Sequence, residues 1–245
     1  MAADSHIVKS YTAELDQLTT MIAEMGGLAE AAVADATLAL RRRDSDLAQR
    51  VIEGDRKIDA LEAQVASNVV RMLALRQPMA TDLRTIVAAL KIAGDLERAG
   101  DYAKNIAKRS LILNQSPVTG PISAIANLSQ MVAAMLHEVL DAYVAGDADV
   151  AERVRDRDED IDAAHTSLFR ELLTYMMEDP RTITACTHMV FIAKNLERVG
   201  DHATNIAENL VYQVRGEHLI DRHVVPANAM SSRMSALCLG EIGHD

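Results

Sequence analysis

The sequence predicts an all-α protein, organised as two tandem three-helix bundles. Three observations support this prediction: the composition, the spacing of apolar residues and an internal repeat. Hydrophobic residues make up 49% of the 245 residues, but aromatic residues only 3%, with no Trp. Alanine, leucine and methionine must therefore fill the interior. These residues favour helices, whereas the aromatic residues that favour strands are scarce, so the composition argues against a β-sandwich or barrel.

Long helices are predicted by apolar residues at i, i+3, i+4 spacing between few prolines. The first helix is predicted from about residue 5 to 43 and ends in three arginines, which suit the negative end of the helix dipole. Asp44 is a candidate N-cap for a second helix that reaches about residue 77. A third helix follows Pro78 and runs from about residue 80 to 114.

An internal repeat predicts three more helices of the same kind. Residues 92–107 and 192–207 align at an offset of 100 and share 11 of 16 residues without a gap. Residues 44–60 align with 147–163 at an offset of 103. Two matches in the same order indicate a duplicated unit. We therefore expect a first bundle over 5–115, a second over 117–214, and an irregular tail over 215–245.

Acidic residues occupy matched positions in the two halves. One pair at i, i+4 spacing is predicted on the second helix of each half, and a trio at i, i+4, i+8 spacing on the third, which places each set on one helix face. The residues of the first half are Asp55, Asp59, Glu97, Asp101 and Asn105, and those of the second are Asp158, Asp162, Glu197, Asp201 and Asn205.

The acidic faces have two interpretations. Like charges at i, i+4 cost a helix about 0.2–0.5 kcal/mol, and a bound cation would reverse that cost. Carboxylate and amide oxygens suit magnesium, manganese or iron, and zinc would be possible with a histidine. The alternative is a solvated face whose acids pair with neighbouring Lys and Arg side chains such as Lys104. Gly100 and Gly200 within these helices predict a close approach, either of a metal cluster or of a neighbouring helix.

The overall charge limits the classes of partner. A net charge of −11 would repel a phosphate backbone, so no nucleic-acid binding is expected. The two cysteines have no CxxC partner, which favours a reducing compartment. The start of the sequence lacks a basic-then-apolar signal, and no apolar run reaches 18 residues. A soluble cytoplasmic protein is expected, with membrane contact only through partners.

The sequence resembles the PhoU family. The motif LERxGDxxxNIA occurs at residues 96–107 and again at 196–207, and each copy follows a DxxID element one helix earlier. The resemblance extends from about residue 7 to 215. It implies two similar three-helix bundles, a homodimer, and metal clusters at E/DxxxD motifs. The matching positions are Glu97, Asp101, Glu197 and Asp201, together with Asp55, Asp59, Asp158 and Asp162. The two metal sites that the resemblance implies are not expected to be identical, since Asn195 stands where the first half has Asp95.

The family implies a regulatory role without catalytic turnover. The expected function is negative regulation of phosphate uptake and of the phosphate-starvation response, through the ATPase of a phosphate ABC transporter and a sensor histidine kinase. A metal-free structural adaptor is the main alternative. A helical-bundle di-metal enzyme is a weaker one, because ferritin-like enzymes need Glu-x-x-His on two helices and neither repeat carries this motif.

Overall fold

The protein folds into long helices packed side by side. The computed structural model describes residues 2–115 and 120–217, and in these ranges it contains helices and no strand. The all-α prediction is confirmed. The helices are α1 (Ala2–Arg42), α2 (Ser45–Arg76), α3 (Thr81–Leu113), α4 (Ile122–Ala145), α5 (Ala148–Arg155), α6 (Asp158–Glu178) and α7 (Ile183–Arg215), with a short 3₁₀ turn at Pro180–Thr182.

The two repeats form two units that pack on each other. In the first unit α2 packs against α1 and α3; in the second, α5 and α6 pack against α4 and α7. The most extensive contact between any two helices joins α3 to α7, and α1 also packs against α4. Buried residues of both units form one continuous hydrophobic core. The predicted domain boundaries at 115 and 117 stay a prediction, and most of the predicted tail at 215–245 lies outside the described residues.

The second unit differs from the first in one element. The sequence predicts one long helix here, but the structure divides it into α5 and α6 at Asp156 and Arg157. Four of the five residues from 156 to 160 are acidic, and an uninterrupted helix would set these like charges at i, i+3 and i+4. The interruption instead places three acids in the first turn of α6, where the helix dipole favours negative charge.

Matched N-caps begin the equivalent helices. The Asp44 carboxylate accepts a hydrogen bond from the backbone N–H of Leu47 at 2.8 Å, ahead of α2. The Asp147 carboxylate accepts from the N–H groups of Asp149 and Val150, both at 3.0 Å, ahead of α5. Asp44 and Asp147 are related by the repeat offset of 103, so the capping predicted from sequence recurs in both units.

Candidate functional site: two acidic clusters

Each unit brings its predicted acids together where two helices meet. We call Asp55, Asp59, Glu97 and Asp101 the first acidic cluster; it lies between α2 and α3. The equivalent acids of α6 and α7 form the second acidic cluster: Asp158, Asp162, Glu197 and Asp201. Within each cluster the carboxylates lie close enough to alter one another's pKa values. The helical spacing predicted that each set of acids shares one helix face; the packing of α2 on α3 and of α6 on α7 brings the sets together.

A lysine lies inside the first acidic cluster. The Lys104 ammonium forms ion pairs with Asp55 Oδ2 across the helix interface and with Asp101 Oδ1 at 2.6 Å on its own helix. The Asp55 side chain is only 5% exposed, so its charge needs a partner. Burial lowers the pKa of Lys104, but the hydrogen bonds to Asp101 and Asp55 outweigh it and raise that pKa overall. Lys104 therefore stays charged at neutral pH.

The pKa values of the other two acids of this cluster, Asp59 and Glu97, are raised. Partial desolvation and the Asp55 carboxylate raise the pKa of Asp59 above its ordinary value. Partial burial and the Asp101 carboxylate do the same for the pKa of Glu97, whose nearest cation, Arg98, lies 3.7 Å away. The pairing of acids with Lys104 and Arg98 is the arrangement that the solvated-face interpretation expected.

The second acidic cluster has different neighbours. The hydroxyl of Thr204, which is the equivalent of Lys104, donates to Asp158 Oδ1 at 3.3 Å. Glu197 forms an ion pair with Lys194, and His165 Nδ1 lies 3.9 Å from Glu197 Oε1. Partial desolvation and the Glu197 and Asp158 carboxylates raise the pKa of Asp201. Lys194 lies at i−3 from Glu197, a spacing that allows this pair, although the sequence analysis did not single it out.

Close helix packing explains the two glycines of the repeated motif. A Cβ atom at Gly100 would lie 2.8 Å from Ile58 Cδ1, and one at Gly200 would lie 3.2 Å from Ile161 Cδ1. Ile58 and Ile161 are themselves equivalent in the repeat, and both are buried. Of the two explanations left open by the sequence, the neighbouring helix is therefore the one that the structure supports.

The two asparagines of the predicted trios occupy different environments. Asn105 is half-buried on α3, on the same helix as Glu97 and Asp101. The Asn205 side chain instead points to the other unit, where its Nδ2 atom donates to Asp95 Oδ1 at 3.3 Å. Asn205 thus contributes to the contact between the two units, and this contact offers no support for its predicted role as a metal ligand.

A polar contact links α3 to α7 beside the clusters. His202 Nδ1 lies 2.8 Å from Asp95 Oδ1, and the His202 ring stacks on Tyr102 with centroids 5.6 Å apart. An open cleft of about 540 Å³ borders this contact and is lined by Asp95, Arg98 and His202, among others. Sequence reasoning missed this contact, because the pairing of α3 with α7 is a tertiary feature that helical spacing does not encode.

The acids are not arranged as metal ligands in this structure. Among the residues that the structure describes, no group of three or more His, Cys, Asp and Glu side chains is placed to hold a metal ion. The two clusters also differ in how well their residues would suit a metal, because the first contains a lysine ammonium between two of its carboxylates. Metal binding by iron, zinc, manganese or magnesium stays a prediction.

Comparison with known proteins identifies the family. The family model described as the PhoU domain matches residues 22–110 and again residues 125–210. The chain belongs to the PhoU family. The phosphate-specific transport system accessory protein PhoU homolog of Caulobacter vibrioides is 53% identical over 215 residues, which cover 87% of this chain and 94% of that protein. The Escherichia coli accessory protein PhoU is 38% identical over 221 residues, which cover 90% of this chain and 91% of that protein.

Solved structures of the family share the fold. The crystal structure of PhoU from Pseudomonas aeruginosa matches with a TM-score of 0.82 at 41% identity, covering 84% of this chain and all of that one. The phosphate transport system regulatory protein PhoU from Streptococcus pneumoniae matches with a TM-score of 0.79 at 30% identity, covering 85% and 99%. None of the helices in the described parts of the chain has the length and apolarity needed to cross a membrane.

Proposed function

We propose that this PhoU-family chain is an accessory protein of a phosphate-specific transport system and a negative regulator of phosphate uptake and of the phosphate-starvation response. The observation that supports this most strongly is the near-complete match to relatives that carry this name. The match covers both units and 94% of the Caulobacter relative, so the proposal does not depend on one motif.

The proposed mechanism is that of an adaptor without catalytic turnover. In the cytoplasm, a homodimer would contact the ATPase of the phosphate ABC transporter and a sensor histidine kinase, and so signal that phosphate is plentiful. The net charge of −11 supports binding to basic surfaces on these partners. The long helices α3 and α7 pack against each other and join the two units.

The test is the activity of alkaline phosphatase, a reporter of phosphate starvation, in the protein's own host in phosphate-rich medium. Depletion of the protein should raise this activity to the level of starved cells, and expression of the wild-type chain should restore repression. Normal repression in the depleted strain would contradict the regulatory proposal. Phosphate uptake measured in the same cultures separates an effect on the transporter from an effect on gene expression.

Metal binding at the second acidic cluster is a further part of the proposal. The cluster offers four carboxylates, and its residue 204 is a neutral threonine. Oxygen ligands of this kind suit manganese or magnesium. The double variant E197Q/D201N should lose bound metal, as measured by elemental analysis after dialysis. The matched control E24Q/E178Q removes two exposed acids outside the clusters and should retain it; equal metal content in the two variants would contradict the assignment.

A further inference from the structure

The two acidic clusters differ in the residue that lies between their two helices at position 104 and its equivalent 204. Residues 104 and 204 are equivalent in the repeat, one turn beyond Asp101 and Asp201 on their helices. The first is a lysine and the second a threonine. The four acids and the close-packed glycines are matched in the two clusters. The second acidic cluster has a lysine of its own, Lys194, but its ammonium pairs with the Glu197 carboxylate of its own helix and its side chain is 44% exposed.

Lys104 lies where a bridging cation would lie. Its ammonium contacts one carboxylate of α2, that of Asp55, and one of α3, that of Asp101. Only 23% of the lysine side chain is exposed, so the charge is held within the helix interface. A divalent metal joining the same two carboxylates would have to displace this ammonium and would meet its charge repulsion.

The Asp55 carboxylate depends on this lysine. Its Oδ2 atom pairs with Lys104, whereas its buried Oδ1 atom has no hydrogen-bond donor among the residues that the structure describes. Oδ1 lies on the side of Gly100, 3.5 Å from where a Cβ atom would stand. A buried carboxylate that lost its only cation would have to take up a proton or another cation.

We propose that Lys104 is a built-in cation that takes the place of a metal in the first acidic cluster. Divalent metal binding to this chain is thereby confined to the second acidic cluster, where Thr204 leaves the position uncharged. The second half of this statement rests on the proposed metal site; the first half does not, since it concerns only Lys104, Asp55 and Asp101.

Reciprocal substitutions test the proposal. Lys104→Thr gives the first unit the residue of the second, and Thr204→Lys does the reverse. Each chain is freed of metal with a chelator and titrated with Mn²⁺, and the number of tightly bound ions is counted by calorimetry and by the loss of the free Mn²⁺ signal in electron paramagnetic resonance. Lys104→Arg, which keeps the charge, is the matched control.

We expect Lys104→Thr to bind about one more Mn²⁺ per chain than the wild type, and Mn²⁺ should raise its melting temperature more than that of Lys104→Arg. Thr204→Lys should bind fewer ions than the wild type. If Lys104→Thr folds but binds no more Mn²⁺ than Lys104→Arg, the proposal is wrong. Lys104→Gln, which is closer in size to lysine, replaces the threonine variant if the latter does not fold, and the same criterion applies.

The experiment separates this proposal from the metal site of the second unit. A wild-type chain that binds no Mn²⁺, alongside a Lys104→Thr variant that does, would support the role of Lys104 and contradict the second site. A wild-type chain that loses a bound ion on the double substitution E97Q/D101N would show metal in the first acidic cluster despite Lys104, and would overturn the proposal.

Discussion

Equivalent residues of the two units have the same place but different chemistry. Gly100 and Gly200 both admit an isoleucine of the neighbouring helix, yet the approach is closer at Gly100. Ile58 and Asp55 both border Gly100, and Asp55 pairs there with Lys104. The absence of a side chain at Gly100 leaves room for the Ile58 side chain of α2 beside the first acidic cluster.

Gly100→Ala should therefore destabilise the protein. Alanine gains about 1 kcal/mol of helix propensity, but the added methyl group at 2.8 Å from Ile58 Cδ1 overpacks the interface, which typically costs about 1–3 kcal/mol. Gly94→Ala, six residues earlier on α3, is the matched control, because no atom lies within 4 Å of its added Cβ. Denaturant unfolding should show a lower free energy of unfolding for Gly100→Ala and a higher one for Gly94→Ala. A higher free energy of unfolding for both variants would show that the contact with Ile58 does not exclude a methyl group at position 100.

How far the sequence predicted the clusters also depends on single residues. The i, i+4 spacing placed Glu97 and Asp101 on one face, and the structure agrees. It could not tell whether Lys104, at i+3 from Asp101, turns into the helix interface or out to solvent, because both rotamers are open to a long side chain on an isolated helix. Nor could it tell that Asn205 reaches across to Asp95, since that contact depends on the placement of a second helix.

At the level of helices, the junction of α3 and α7 combines small buried residues with a few charged ones. The Arg109 guanidinium lies over the Phe191 ring, 4.1 Å from its centroid, and within 3.3 Å of His188 Nδ1. Because a guanidinium can only donate, His188 Nδ1 must accept, and the ring is neutral. Burial and the Arg109 charge both lower the pKa of His188. The junction therefore disfavours a protonated His188.

His188→Gln should reduce the acid sensitivity of the fold. An unfolded histidine binds a proton near pH 6.5, whereas the folded His188 does so only at lower pH. The contribution of His188 to stability is therefore present above about pH 6.5 and is lost as pH falls toward the folded value. Between pH 7.5 and 5 the variant should lose less unfolding free energy than the wild type, measured by urea unfolding.

His137→Gln supplies a control in which the effect of pH on stability has the opposite sign. Its hydrogen bond to Glu30 and the charges of Glu30 and Asp141 raise the pKa of His137, so its contribution is present at low pH and fades as pH rises through that value. The unfolding free energy of this variant should fall further below that of the wild type at pH 5 than at pH 8. Parallel pH profiles for His188→Gln and the wild type would rule out the assignment of a neutral His188.

For the whole molecule, the repeat predicted the fold more fully than it predicted the assembly of its halves. Amphipathic spacing specifies which face of each helix is buried, and duplication specifies that the same bundle forms twice. The pairing of α3 with α7 and the division of the fifth helix at Asp156 arise from long-range packing and from a local run of acids. Both features depend on competing interactions between helices. Neither periodicity nor composition shows which of these interactions is stronger.

The extent of the α3–α7 contact predicts that the two units unfold together. Both helices run through one hydrophobic core shared by the units, so neither unit can lose its packing without exposing apolar surface of the other. Calorimetry should show one transition whose van't Hoff and calorimetric enthalpies agree.

The polar contact between Asp95 and His202 tests this coupling locally. Asp95→Ala removes the carboxylate, whereas His202→Phe keeps the stacking on Tyr102 but loses the hydrogen bond. A double-mutant cycle should give a coupling of about 1 kcal/mol, and each variant should lower the single melting temperature without splitting the transition. Two resolved transitions in the wild-type chain would mean that the units are energetically independent despite their contact.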